Sequence, residues 1–333
     1  MATSSPTSCT ASSTHESSTE GSPTERIDPA TGTRVAAPVA PQVDEIDLIP
    51  VRTYWQLVRQ RFLQHRLAVI ALVIMIILVS FAVVIPTVTG DAFGKTDLKT
   101  LNLPPSLSAP LGTDGLGRNI FIRLTKALQT SLMVGFLAVA IIVGIGVTVG
   151  AIAGYVGGFI DNALMRLVDI VLSIPVFFLI VMLVAFFGQG DMRVIILAIG
   201  LIGWTLAARL VRAEFLHLRE TDFVQAARAL GASPLRIIVR HMLPSAIAPV
   251  IVAATLGIAD SVVTESTLSY LGFGINPPNA SLGNMLSDAQ EYLFRQPILI
   301  YYPAVTLVLL VLAASFLGDG LRDALDPRQR LEA

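Results

Sequence analysis

Two carboxylates, Asp260 and Glu265, stand in a stretch otherwise apolar enough to lie in a membrane (IAPVIVAATLGIADSVVTESTL, residues 247–268). At that depth a carboxylate must face the interior of a helix bundle or a wet cavity, because hydrocarbon offers it no partner. Five positions at about 100° each separate the two by about 140°, so they do not share one helix face. Two readings stay open for Asp260. It lines a path and meets a cationic part of a solute, or it makes a structural hydrogen bond near the membrane surface. Glu265 is the second candidate for the path. Other near-motifs fall short of chemistry. In Gly90-Asp-Ala-Phe-Gly94-Lys95-Thr96 the glycines are three residues apart instead of the four a phosphate loop needs, so nucleotide binding by this chain is not expected. Gly144, Gly146, Gly150 and Gly154 lack a preceding strand and dinucleotide spacing; small residues four apart let membrane helices approach closely. His15-Glu16 opens like a zinc-protease motif, but position 19 is Thr. Four scattered histidines and one cysteine, Cys9, leave neither a metal site nor a disulfide framework.

The elements that must position the carboxylates follow from composition. Of 333 residues 53% are hydrophobic and 14% charged, against roughly a quarter charged in soluble domains. Uncharged runs mark six membrane helices. The first, 67–89, is long enough at about 1.5 Å per residue to cross a core of about 30 Å. Further runs are 127–160, 170–190, 194–208, 241–259 and 296–318. The fourth helix continues through Arg209 and Arg212, and the fifth runs from near Ser245 past Asp260 toward Leu268. Arg166 and Asp169, three apart, form a local ion pair by default. The expected architecture is an all-α polytopic bundle. Its parts are a Ser/Thr-rich acidic tail without fixed structure (1–50), a basic segment (51–66), a first span (67–89), an outward loop (90–126), a five-helix core (127–318) and a C-terminal segment (319–333).

Charge supplies the orientation. The total of −1 divides into −5 over residues 1–50 and +4 over the rest. With the N-terminus inside, sixteen Lys and Arg fall on the cytoplasmic side and seven outside, so both termini are expected inside. Nucleic acid is not an expected partner, since no basic stripe stands free of apolar sequence.

The cytoplasmic loop between the fourth and fifth helices is the most organised. Thr221 or Asp222 caps a helix through Leu230, and Ala226 and Ala227 give it a narrow face. Gly231 supplies the left-handed residue that ends it. Ser233 caps a second helix with Pro234 at its first position, and Pro244 ends that helix. Arg228, Arg236 and Arg240 are available to an acidic partner; the loop is either a docking element or a cap on its own bundle.

QAARALGASPLRIIVRHMLP resembles the coupling-loop motif of ABC-importer permeases, E-A-A, three residues, Gly, nine residues, I-x-L-P. Ala226, Ala227, Gly231, Leu243 and Pro244 match, while Gln225 stands at the motif's Glu and His241 at its Ile. LGTDGLGRN (111–119), AGYVGGFID (153–161), MRLVD (165–169), LGFG…PP (271–278), GNML (283–286) and LGDGLRDALDPR (317–328) extend the likeness. From about Arg59 to Arg330 the chain resembles the C-type permease subunit of the dipeptide, oligopeptide and nickel importers. Asn119 replaces the Asp usual in the family's GRD.

The resemblance implies a type I ABC importer permease of the bacterial inner membrane with a cytoplasmic coupling loop at 221–241. It implies half of a path for peptides or related small substrates, completed by a second homologous permease. It further implies an extracytoplasmic substrate-binding protein and two ABC ATPases, with ATP and Mg held on the ATPases and no cofactor on this chain. Gln225, Ala226, Ala227, Arg228, Gly231, Ser233, Pro234, Arg236 and Pro244 would carry the coupling, with membrane lipid around the spans. The competing classes are a self-sufficient secondary transporter or channel, for which inverted repeats are not found, and an intramembrane enzyme, for which no nucleophile–base set is visible.

Overall fold

A computed structural model describes residues 25–27, 34–36 and 53–325. The chain divides into two units, Met1–Val51 and Arg52–Ala333. In the first, β1 (Glu25–Ile27) pairs antiparallel with β2 (Arg34–Ala36), Arg26 opposite Val35. This corrects the expectation of an unstructured 1–50 at six positions. Two extended triplets, ERI and RVA, flank a six-residue connection containing Pro29 and Gly32, a composition that favours a hairpin. The rest of the tail, and residues 326–333, lie outside the described residues.

The second unit is helical: α1 (Tyr54–Gln64), α2 (Arg66–Thr89), α3 (Ile120–Val156), α4 (Gly158–Ser173), α5 (Val176–Phe187), α6 (Met192–Arg219), α7 (Asp222–Ala229), α8 (Pro234–Ile237), α9 (Leu243–Ser245), α10 (Ile247–Tyr270), α11 (Leu282–Gln290) and α12 (Ile298–Leu325). The basic segment thus forms α1, which breaks at His65; there the imidazole Nδ1 caps α2 by accepting from Ala68 N–H at 3.1 Å.

Among the described residues, five helices (α2 with its terminal 3₁₀ turn, α3, α6, α10 and α12) are long and apolar enough to cross a membrane. The third expected span differs. The run 170–190 is not one helix, because α4 and α5 meet at 82°. Pro175 disfavours helical backbone at the residue before it, and Ile174 is extended (φ −96°, ψ 134°). The bundle has six spans if this bent pair counts as one. Two boundaries also move. The loop after α2 ends at Asn119, so 120–126 are the first turns of α3, and α12 runs seven residues beyond the expected 318.

Packing runs α5–α6–α3–α10–α12–α2. The glycine ladder brings α3 and α6 into close contact. A Cβ on Gly146 would lie 2.6 Å from Ala207 Cβ, on Gly150 2.5 Å from Ala208 O, and on Gly154 2.5 Å from Phe215 Cβ. Glycine is therefore what lets α3 and α6 touch backbone to backbone, as the four-residue spacing anticipates. Elsewhere apolar side chains turn outward: Leu67, Ile70, Val73, Ile76, Phe81 and Val84 of α2 are all exposed. In water such a face is an aggregation liability; in lipid it is a match.

Candidate functional site

Loop 221–241 folds largely as its residues dictate. Thr221 is extended (φ −76°, ψ 149°) and starts α7, although its hydroxyl donates back to Leu218 O instead of capping. At the other end Gly231 adopts φ +80°. Its N–H donates to Arg228 O at 3.0 Å, and Ala232 N–H donates to Ala227 O at 3.1 Å. That pair of bonds is a Schellman stop, which needs a left-handed residue where Gly231 stands. Ser233 then starts α8, with Pro234 in its first turn and no side-chain cap.

Pro244 does not end the second helix. A π turn over Ile238–Met242 follows α8, with Leu243 N–H donating to Ile238 O, and α9 carries helical backbone to Ser245. The wide turn resets the hydrogen-bond register, so Pro244 falls where a helix needs no N–H. The break comes two residues later, at Ala246 (φ −86°, ψ 5°).

The loop has two sides. Val224, Ile237, Met242 and Ala246 are buried against Val211, Phe215 and Leu218 of α6 and Ala151 of α3. Facing away, Leu230 is 87% exposed, Leu235 72%, Val239 54% and Phe223 43%. Gln225, Ala226, Arg236 and Arg240 are exposed beside them, and Ala227 is half-buried. Gln225 Nε2 donates to Glu220 O at 3.1 Å. The Arg228 guanidinium lies 5.7 Å from the centre of the Tyr155 ring near the end of α3, a cation–π contact tying loop to bundle.

Ion pairs hold the helices behind the loop. Arg212 of α6 grips Asp161 of α4 with both Nε and Nη2. Asp169 pairs with Arg209 of α6 and not with Arg166, the neighbour that helical spacing suggests. Both arginines lie outside α4, 40 and 51 positions from their partners. Helix periodicity alone could not find them.

The two carboxylates of α10 part as the 140° offset requires. Asp260 is exposed and makes no hydrogen bond or ion pair among the described residues. Glu265 is fully enclosed. Its Oε2 accepts from Ser131 Oγ of α3 at 2.7 Å and from Ser266 Oγ at 3.4 Å, and its Oε1 from Ser269 Oγ at 2.7 Å. The motifs LGFG and GNML close around this group. A Cβ on Gly283 would lie 2.1 Å from Ser266 O, and one on Gly274 2.2 Å from Ser269 Oγ. Asn284, nearly enclosed, donates from Nδ2 to Ile275 O at 3.0 Å and Asn279 O at 2.9 Å.

The 111–119 motif shapes the start of α3. Asn119 Oδ1 caps Phe121 N–H at 3.0 Å while its Nδ2 donates to Ser108 O at 3.0 Å, a second bond that an Asp could not make. Arg118 Nε lies 2.7 Å from Asp114, and Arg123 Nη2 lies 2.8 Å from Asp288 of α11.

Residues 146–331 match the family described as binding-protein-dependent transport system inner membrane component. Residues 53–105 match the N-terminal TM domain of oligopeptide transport permease C. The oligopeptide transport system permease protein OppC of Escherichia coli strain K12 is 39% identical over 281 residues, 84% of this chain and 93% of that one. The dipeptide transport system permease protein DppC of Alkalihalophilus pseudofirmus is 36% identical over 276 residues, 83% and 90%. Among solved structures, the MetNI methionine ABC transporter in an inward-facing conformation shares the fold at TM-score 0.53 and 22% identity, covering 61% of this chain and 96% of that one. The apolar spans, the 221–241 loop and these matches agree: the chain belongs to the family of inner-membrane components of binding-protein-dependent transport systems.

Proposed function

We propose that this chain is one of two membrane-spanning subunits of an ATP-driven importer of peptides, and that loop 221–241 is where a separate ATPase takes hold. One observation carries the reading. The loop buries one face on its own bundle and leaves Phe223, Leu230, Leu235 and Val239 exposed among Arg228, Arg236 and Arg240. A cap that served only its own bundle would turn such side chains inward. An apolar centre with a cationic rim is the composition of a protein interface. The peptide substrate class is supported by the names of the oligopeptide and dipeptide relatives.

In this reading the loop and both termini are cytoplasmic, which the sixteen-to-seven excess of Lys and Arg supports. ATP and Mg act on two ATPase subunits, and a substrate-binding protein delivers peptide from outside. Closure of the ATPases pushes the loop as a lever whose shape is fixed by the Schellman stop at Gly231. The lever turns α6 and α3 together, since their backbones touch along the glycine ladder, and the spans rock between two packings. Asp260, exposed on α10 and without a partner among the described residues, is a carboxylate available to a cationic part of the substrate.

Affinity purification of the tagged chain from its own membranes tests the proposal. A second permease and two ATPases are the expected companions. Purification of the chain alone, with solute uptake intact, would point to a self-sufficient transporter or channel.

A further inference from the structure

Glu265 is a buried carboxylate that the proposed transport cycle leaves unused, and its hydrogen bonds run outward to a different part of the chain. Ser131 Oγ accepts from the backbone N–H of Leu282, the first residue of α11, at 3.3 Å. Ser269 Oγ accepts from the N–H of Ile275 at 3.0 Å. A backbone N–H can only donate, so each serine must turn its own proton elsewhere, and each turns it to Glu265. The carboxylate is therefore the common end of two relays, Leu282 N–H to Ser131 to Oε2 and Ile275 N–H to Ser269 to Oε1. Between them they fix both flanks of the segment 275–282 that joins α10 to α11.

A second tie lies further along α11, where Asp288 meets Arg123, also of α3. One helix thus receives the α11 segment at Arg123 and Ser131 and presents Tyr155 to Arg228 of the 221–241 loop. At 37 residues α3 is about 55 Å long, enough to join the two faces of a membrane.

We infer that Glu265 is a positioning residue that seats the α11 segment on α3, so that contact of a binding protein with that end of the bundle is transmitted along α3 to the coupling loop. The inference rests on the importer reading above. It assigns Glu265 a part in signalling that lining a substrate path would not give it. Rigid secondary elements and packed side chains can carry coupling between two sites, and α3 runs between these two without a break.

The test uses the complete complex in lipid, with its ATPases and binding protein, comparing wild type with Ser131→Ala, Ser269→Ala and Glu265→Gln. The serine variants each cut one relay and remove a single oxygen, so the inference stays testable even if Glu265→Gln fails to assemble. Basal ATPase rate should stay within about twofold of wild type. The binding-protein concentration for half-maximal stimulation should rise by about fivefold or more, within the range a coupling network commands. A merely structural role would lower basal and stimulated rates in parallel and overturn the inference, as would unchanged stimulation in all three variants. Wild-type complex that no binding protein stimulates would overturn the importer reading as well. Normal wild-type stimulation with indifferent variants would overturn only the role of Glu265.

Discussion

Around Glu265 the side chains are small, enclosed and hydrogen-bonded, whereas loop 221–241 leaves large apolar side chains in the open. The two regions sit near opposite ends of α3 and carry the densest motifs of the chain, yet they use glycine differently. At Gly283 it permits contact, because a Cβ would strike the backbone of α10. At Gly231 nothing lies within 4 Å of where a Cβ would stand, and what glycine supplies is the left-handed φ of +80°. The first region is built to hold one geometry. The second holds a shape whose exposed surface is completed by something else.

Substitutions in the two regions should therefore fail in different ways. Gly283→Val has the largest expected effect. The added methyls meet backbone that cannot yield, at a cost of about 3 kcal/mol or more, and thermal unfolding in detergent should show a destabilised or unassembled protein. Gly231→Val imposes only a left-handed strain of about 1–2 kcal/mol. The protein should insert and fold, while ATP hydrolysis by the complex no longer drives uptake; coupled turnover in that variant would remove the lever from the account. Leu230→Ser combined with Leu235→Ser touches no packed contact, so stability should stay within about 0.5 kcal/mol. Retention of ATPase on the tagged chain should nevertheless drop by about tenfold, as expected for truncated interface anchors. Asp260→Asn has the smallest structural consequence, about 0.5 kcal/mol or less at an exposed site. Its signature is selective, a lower ratio of cationic to neutral peptide uptake, and an unchanged ratio would end its role in the path.

Much of this was legible from residue types. Uncharged runs located the spans because a charge in hydrocarbon is costly at any position, a property each residue declares alone. The turn at Gly231, the start at Pro234 and the glycine ladder were equally local. The bent third span was written in Ser173-Ile174-Pro175, but the hydropathy of 170–190 outweighed one proline. Long-range pairings were out of reach. Nothing near Asp161 names Arg212, and helical spacing pointed Asp169 to Arg166 when α6 delivers Arg209. Glu265 shows the same boundary. Helix geometry separated it from Asp260 correctly, but the serines that enclose it come partly from α3, 134 residues away.

The central claim is that loop 221–241 faces an ATPase, and one cross-link tests it. Leu230→Cys, in a chain whose single native cysteine is removed as Cys9→Ser, places a thiol at the most exposed apolar position of the loop. In the assembled complex a maleimide–benzophenone reagent attached to this thiol should, on illumination, join this position to the ATPase subunit. A cross-link from position 230 to the extracytoplasmic binding protein, or none to the ATPase in a complex that still transports, would contradict the account.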